Sequence, residues 1–103
     1  MIQLNSTFFV PIDKLESATH WLADNYVATL RHAASGGNVV LGRLLTAVEE
    51  DHIGLTVTSR FASEADAETW DASAGVALRQ NMAKDLCIAQ LLHFNSMIEI
   101  ITD

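Results

Sequence analysis

The stretch from Val39 to Phe61 restricts the possible folds more than any other part of the chain. It reads as two strands, Val39–Val48 and Ile53–Phe61, joined by Glu49-Glu50-Asp51-His52, a run that belongs in a solvated turn. The first strand is apolar on both faces, so each face needs cover. The second alternates Ile53, Leu55, Val57, Ser59 and Phe61 against Gly54, Thr56, Thr58 and Arg60, the two-residue period of a half-buried strand. A strand and a helix precede this hairpin, and a helix and a strand come after it. The hairpin is therefore the seam between two halves.

In the first half, Ile2 to Val10 alternates cleanly: Ile2, Leu4, Ser6, Phe8 and Val10 share one face, and Gln3, Asn5, Thr7 and Phe9 the other. Pro11 ends the strand, because it has no N–H for a ladder and its fixed φ suits the first turn of a helix. From Ile12 to His32 the period becomes helical. Leu15, Ala18, Leu22, Tyr26, Leu30 and Ala33 form one stripe, with Trp21 on its flank as core packing. Ser35-Gly36-Gly37-Asn38 stops the helix.

In the second half, Ser63 caps a helix whose inner stripe is Ala67, Trp70, Ala74 and Ala77. Ser73-Ala74-Gly75 kinks it, after which Leu78, Met82 and Leu86 continue a rotated stripe. The last strand, Ile88 to Ile101, sets Leu92, Phe94, Ser96, Ile98 and Ile100 against Leu91, His93, Asn95, Met97 and Glu99.

The order β-α-β-β-α-β defines an α+β, ferredoxin-like single domain over residues 1–103. Right-handed crossovers place both helices on one face of a four-stranded antiparallel sheet, with the first and third strands central. Such a chain buries roughly 60–70% of its unfolded surface, and a 50% hydrophobic content exceeds what that core absorbs. The uncovered face carries Asn5, Thr7, Phe9, Thr56, Thr58 and Arg60, and the expectation adds Leu44, Val48, His93, Asn95 and Met97. This mixture is too apolar for open water and too polar for a core. A homodimer packed through the open sheet face, a dimeric α/β barrel, resolves the conflict.

Charge narrows the partners. With 6 Lys+Arg against 13 Asp+Glu the formal net charge is −7, and no basic stripe exists to meet nucleic acid or an anionic membrane. No apolar run reaches the ~18 residues needed to span a bilayer. The single cysteine, Cys87, reads as a small buried hydrophobe near a strand start in a reducing, cytoplasmic setting. Glu16, His20 and Asp24 share a helix face but read as solvated, so no metal and no cofactor is expected.

The candidate ligand-binding residues are Asn5, Thr7, Arg60, His93 and Asn95, lining a pocket between two sheets together with Thr56 and Thr58. Arg60 offers a planar fork of donors to an anionic group. His93 is a base able to work near neutral pH. The competing reading is that these side chains hydrogen-bond one another across the dimer.

Leu44-Leu45-x-x-Val48-Glu49-Glu50, Arg60-Phe61-Ala62-Ser63, Ala77-Leu78-Arg79 and Glu99-Ile100 resemble a bacterial domain-of-unknown-function family of about this length. That resemblance implies the dimeric α/β-barrel fold and a dimer, and no reaction. The chain lacks the family's frequent proline late in the first helix, where Tyr26-Val27-Ala28 stands. More distantly it is similar to the superfamily of antibiotic-biosynthesis and haem-degrading monooxygenases. The haem-degrading members imply an asparagine, a tryptophan and a histidine ten residues further on. Asn5 and Trp70 stand in similar places, but Gln80 replaces the histidine and cannot ligate haem iron as imidazole does.

These readings describe a small homodimer binding a small ligand or a protein partner. The alternative is a cofactor-independent monooxygenase-like enzyme acting on a small aromatic or polyketide-like substrate. The enzyme requires a closed, ring-sized cavity with Asn5 or His93 in its wall.

Overall fold

The computed structural model describes residues 1–35, 38–45 and 51–102. Four strands, β1 (Ile2–Pro11), β2 (Val40–Arg43), β3 (His52–Phe61) and β4 (Leu92–Glu99), form one antiparallel sheet in the order β2-β3-β1-β4. The two long, cleanly alternating segments are indeed the central pair. β1 and β3 run side by side from Ile2 opposite Phe61 to Pro11 opposite His52. β2 is shorter than the sequence suggests, and Val48, Glu49 and Glu50 lie outside the described residues.

Both helical segments lie on one face of the sheet. The first comprises α1 (Leu15–Trp21), a π-helical turn (Leu22–Val27) and α2 (Ala28–Ala33). The second comprises α3 (Glu64–Trp70), a π-helical turn (Asp71–Gly75) and α4 (Val76–Asp85). Ser63 starts α3, its Oγ accepting from the Asp66 N–H at 3.1 Å. Under these segments the core joins Leu4, Phe8 and Val10 of β1, Leu55, Val57 and Phe61 of β3, and Ala18, Leu22, Tyr26, Leu30, Ala67, Trp70 and Met82.

The second π turn moves the kink read at Ser73-Ala74-Gly75 into a definite geometry. A π turn accommodates one residue more than an α turn, which re-phases the downstream helix by about 100°. Gly75 is therefore buried, while Ala77, expected in the inner stripe, is exposed. The Arg79 side chain becomes largely buried.

The end of α4 is tied to the first helical segment. Lys14 Nζ donates to the Leu86 carbonyl at 2.7 Å, and Trp21 Nε1 donates to Asp85 Oδ2 at 2.9 Å. A cation at a helix C-terminus meets unpaired carbonyls and the negative end of the dipole. Cys87 corrects its expected burial: it is exposed, at φ 54°, just beyond α4. Its N–H reaches Lys84 O at 3.3 Å and the next N–H, of Ile88, reaches Ala83 O at 2.9 Å, the paired bonds that close a helix on a left-handed residue.

Candidate functional site

The sheet register separates the sequence candidates into two groups. Asn5 lies opposite Thr58 and Ser96, Thr7 opposite Thr56 and Phe94, and Arg60 opposite Gln3. All sit on the face without helices. There the Thr7 and Thr56 hydroxyls are 3.1 Å apart, and Gln3 Nε2 donates to Asn5 Oδ1 at 3.2 Å. Leu44 shares this face, its N–H bonded to Gly54 O at 2.9 Å.

His93 and Asn95, expected on the same bare face, are on the other one. Phe8 pairs with His93, Ser6 with Asn95 and Leu4 with Met97, so these side chains point toward the helices with the β1 core residues. The bare face instead receives Leu92, Phe94, Ser96 and Ile98, and Phe94 is 63% exposed. A one-residue change of register exchanges the two faces of a strand. Both alternating sets of β4 mix apolar and polar residues, so the pattern does not decide which set faces inward.

On the covered side the displaced pair joins a polar network that spans both layers. Ser6, fully buried on β1, donates to Asn95 Oδ1 at 2.8 Å. Arg79 Nη1 donates to Asp71 Oδ1 at 2.7 Å and to the Tyr26 hydroxyl at 3.3 Å, while Nη2 reaches Asp71 Oδ2 at 3.4 Å. Tyr26 sits in the first π turn and Asp71 in the second, so each irregular turn contributes one member. Such turns recur at functional sites because they aim side chains that a regular helix would direct elsewhere.

Gly75 makes room for the ion pair. A Cβ there would stand 2.8 Å from Asp71 Oδ1, 2.9 Å from Arg79 Nη1 and 3.3 Å from Trp70 Cζ3. The fork of Asp71 and Arg79 thus lies directly against the helix backbone. A chain of rings backs the network: Trp70 meets Tyr26 edge-on at 5.4 Å, Tyr26 meets Phe8 at 5.1 Å, and Phe8 meets His93 at 5.0 Å.

These surroundings set the charge states. Burial pushes the Asp71 carboxyl up, but hydrogen bonds from Arg79 and Asn95 and the Arg79 charge outweigh it and hold it below the ordinary value. Burial likewise opposes the Arg79 charge, and Asp71 and Tyr26 restore it and raise its pKa. Burial, then the Arg79 charge, lowers the pKa of His93, so its ring is neutral at pH 7. Burial raises that of the Tyr26 hydroxyl.

A cleft of about 490 Å³ opens between α4 and the start of β4. Val76, Arg79, Gln80, Ala83, Leu91 and His93 line it. It is open to solvent in the single chain, and Asn5 is not in its wall. His93 Nε2 is buried with no hydrogen-bond partner among the described residues, as are Ser59 Oγ and Trp70 Nε1. A buried polar atom left unpaired costs about 1–3 kcal/mol. Another cleft, of about 370 Å³, is lined by Trp70 with Phe61, Asp66 and Thr69.

No group of three metal-ligating side chains occurs among the described residues. Nor do the residues fit haem: Asn5 and Trp70 lie on opposite sides of the sheet, and Gln80 stands where the axial histidine would be. No helix among the described residues is long and apolar enough to cross a membrane.

Sequence reasoning missed Arg79 and Asp71. The signal was present as Asp71-x-x-x-Gly75-x-x-x-Arg79, two opposite charges flanking a helical glycine at equal spacing.

This arrangement of sheet and helices recurs in solved structures. A candidate antibiotic biosynthesis monooxygenase from Nitrosomonas europaea is 12% identical over 99% of this chain and 100% of its own, with a TM-score of 0.67. One from Deinococcus radiodurans is 15% identical over 100% and 97%, with a TM-score of 0.54. A candidate monooxygenase from Shewanella loihica is 17% identical over 99% and 96%, with a TM-score of 0.52. At such identities the likeness is one of fold, a ferredoxin-like sheet of the kind these monooxygenases have. No protein-family model matches the chain, and no curated protein does. The resemblance read from the sequence therefore extends to the fold, and no family is assigned.

Proposed function

We propose that this protein binds a small ring-bearing organic molecule in the cleft between α4 and β4. The observation that carries this reading is the cleft itself, ring-sized and mostly apolar, lined by Arg79 and by His93, whose buried Nε2 has no partner among the described residues. Ligand sites commonly combine such an apolar lining with a few fixed polar groups. In this reading the contacts are Arg79 and His93, the latter already a candidate from the sequence, in place of Asn5, Thr7, Arg60 and Asn95.

Two copies packed through their bare faces are part of the same proposal. Phe94, Ile98, Leu92, Val40 and Leu44 are exposed there, an apolar cluster that self-association would remove from water. Light scattering on the purified protein should give twice the chain mass, and Phe94→Asp should halve it. A monomer at micromolar concentration would defeat the dimer.

NMR titration with benzamide, benzyl alcohol and benzoate tests the cleft. Shifts should concentrate on Arg79, Gln80, Ala83 and His93, and Arg79→Ala with His93→Ala should abolish them. Shifts confined to Thr7, Thr56 and Arg60 would return the site to the bare face.

The second reading is catalytic: cofactor-independent oxygenation of a small aromatic or polyketide-like substrate. The fold it shares with candidate monooxygenases favours it, as does a neutral histidine able to accept a proton beside a fixed cation. Oxygen consumption with hydroxylated polycyclic aromatics is its test; none above buffer would leave the binding reading alone.

A further inference from the structure

An arginine in a cleft usually announces an anion. Here the arginine is already answered. Asp71 meets Arg79 through a two-point fork at 2.7 and 3.4 Å, with both side chains four-fifths buried or more, and Tyr26 takes a third bond. The other titratable side chain in the wall, His93, has a buried Nε2 with no partner among the described residues and an imidazole that is neutral at pH 7. The wall charge therefore sums to zero, inside a chain whose overall charge of −7 repels anions at a distance.

We infer that the cleft selects an uncharged ligand whose amide or hydroxyl group hydrogen-bonds His93, and that Asp71 sets this selectivity by cancelling Arg79. This rests on the cleft being the ligand site and names the class of molecule it takes.

The physical reason is desolvation. A carboxylate entering a half-buried cleft loses water, and an attraction to Arg79 offset by an equal repulsion from Asp71 does not replace it. A primary amide or an alcohol loses far less and can both donate and accept. It therefore satisfies Nε2 in either imidazole tautomer. Gly75 belongs to the same device, because a side chain there would push Asp71 and Arg79 apart.

Three probes of one ring size decide it: benzamide, benzyl alcohol and benzoate, titrated at pH 7.5 against the full chain and followed by NMR. The wild type should bind benzamide about tenfold or more tightly than benzoate. Asp71→Asn, which uncovers the guanidinium, should shift that ratio about tenfold toward benzoate. Asp71→Glu, which keeps the charge, should leave the preference for benzamide in place. Should Asp71→Asn not fold, His93→Leu against His93→Gln carries the test. The leucine variant should lose benzamide binding and the glutamine variant should retain it. A wild type that prefers benzoate, or a ratio unmoved in folded Asp71→Asn, overturns the inference and leaves the cleft reading standing. If none of the probes shifts an α4 or β4 resonance, the cleft reading falls and takes this inference with it.

Discussion

The two faces of the sheet use polar residues in opposite ways. On the bare face the bonds stay within the sheet: Gln3 to Asn5 along one strand, Thr7 to Thr56 across one ladder. On the covered face a bond across a ladder, Ser6 to Asn95, is joined by one between the two helical segments, Arg79 to Tyr26. Pairs within the sheet need only the strands to be in register. A pair between the helical segments holds only if those segments are correctly placed, and it loses most when one partner is removed. The covered side is thus where packing and chemistry constrain each other, and the bare side is a surface awaiting cover.

Substitution should expose that asymmetry most strongly in the rings. Phe8→Ala removes a fully buried ring that touches Tyr26 and His93 and should cost about 3–5 kcal/mol in urea unfolding. Phe94→Ala on the bare face should cost under about 1 kcal/mol at concentrations too low for self-association. Equal losses would erase the distinction.

The glycines should separate by sign. Gly75→Ala forces its Cβ against Asp71 and Arg79 and should destabilise by about 1–3 kcal/mol, despite alanine's helical advantage of about 1 kcal/mol. Gly42, opposite Thr56 on the bare face, has no atom of the described residues within 4 Å of where a Cβ would stand. Gly42→Ala should be neutral or gain about 0.4–1 kcal/mol.

Acid should act on the covered side first. His93 has a folded pKa below its ordinary 6.5, so below that pH the unfolded chain binds more protons than the folded one. Its contribution is complete above about pH 6.5 and declines as pH falls toward the folded value. Asp71, also lowered, adds a second decline beginning near its ordinary 3.8. Melting temperature followed from pH 8 to 5 should fall, and His93→Gln should flatten that limb. A gain is also expected at Cys87, where glycine in place of a residue at φ 54° should add about 1 kcal/mol.

The central strands were legible because Ile2–Val10 and Ile53–Phe61 alternate without conflict. Their pairing, the helix positions and the ferredoxin-like order came with them. Legibility failed where two patterns were equally good. In β4, Leu92-Phe94-Ile98 and Leu91-His93-Met97 are comparably apolar, and only the ladder with β1 decides between them. It failed again at Ala77 and Arg79, because a stripe counted at 3.6 residues per turn carries no warning of an extra residue. Cys87 was misplaced for a different reason, as its position answers to backbone closure and not to hydrophobicity.

The π turn at Asp71–Gly75 also means that α4 presents its side chains by phase and not by composition. Excising a single residue there would restore a plain α turn and leave Arg79 and Ala77 facing as they do, because one extra residue is what the π turn takes up. Winding the same residues as unbroken α-helix would instead swing Arg79 toward water and Ala77 toward the sheet, so the cleft depends on the shape of that short segment as much as on any residue within it.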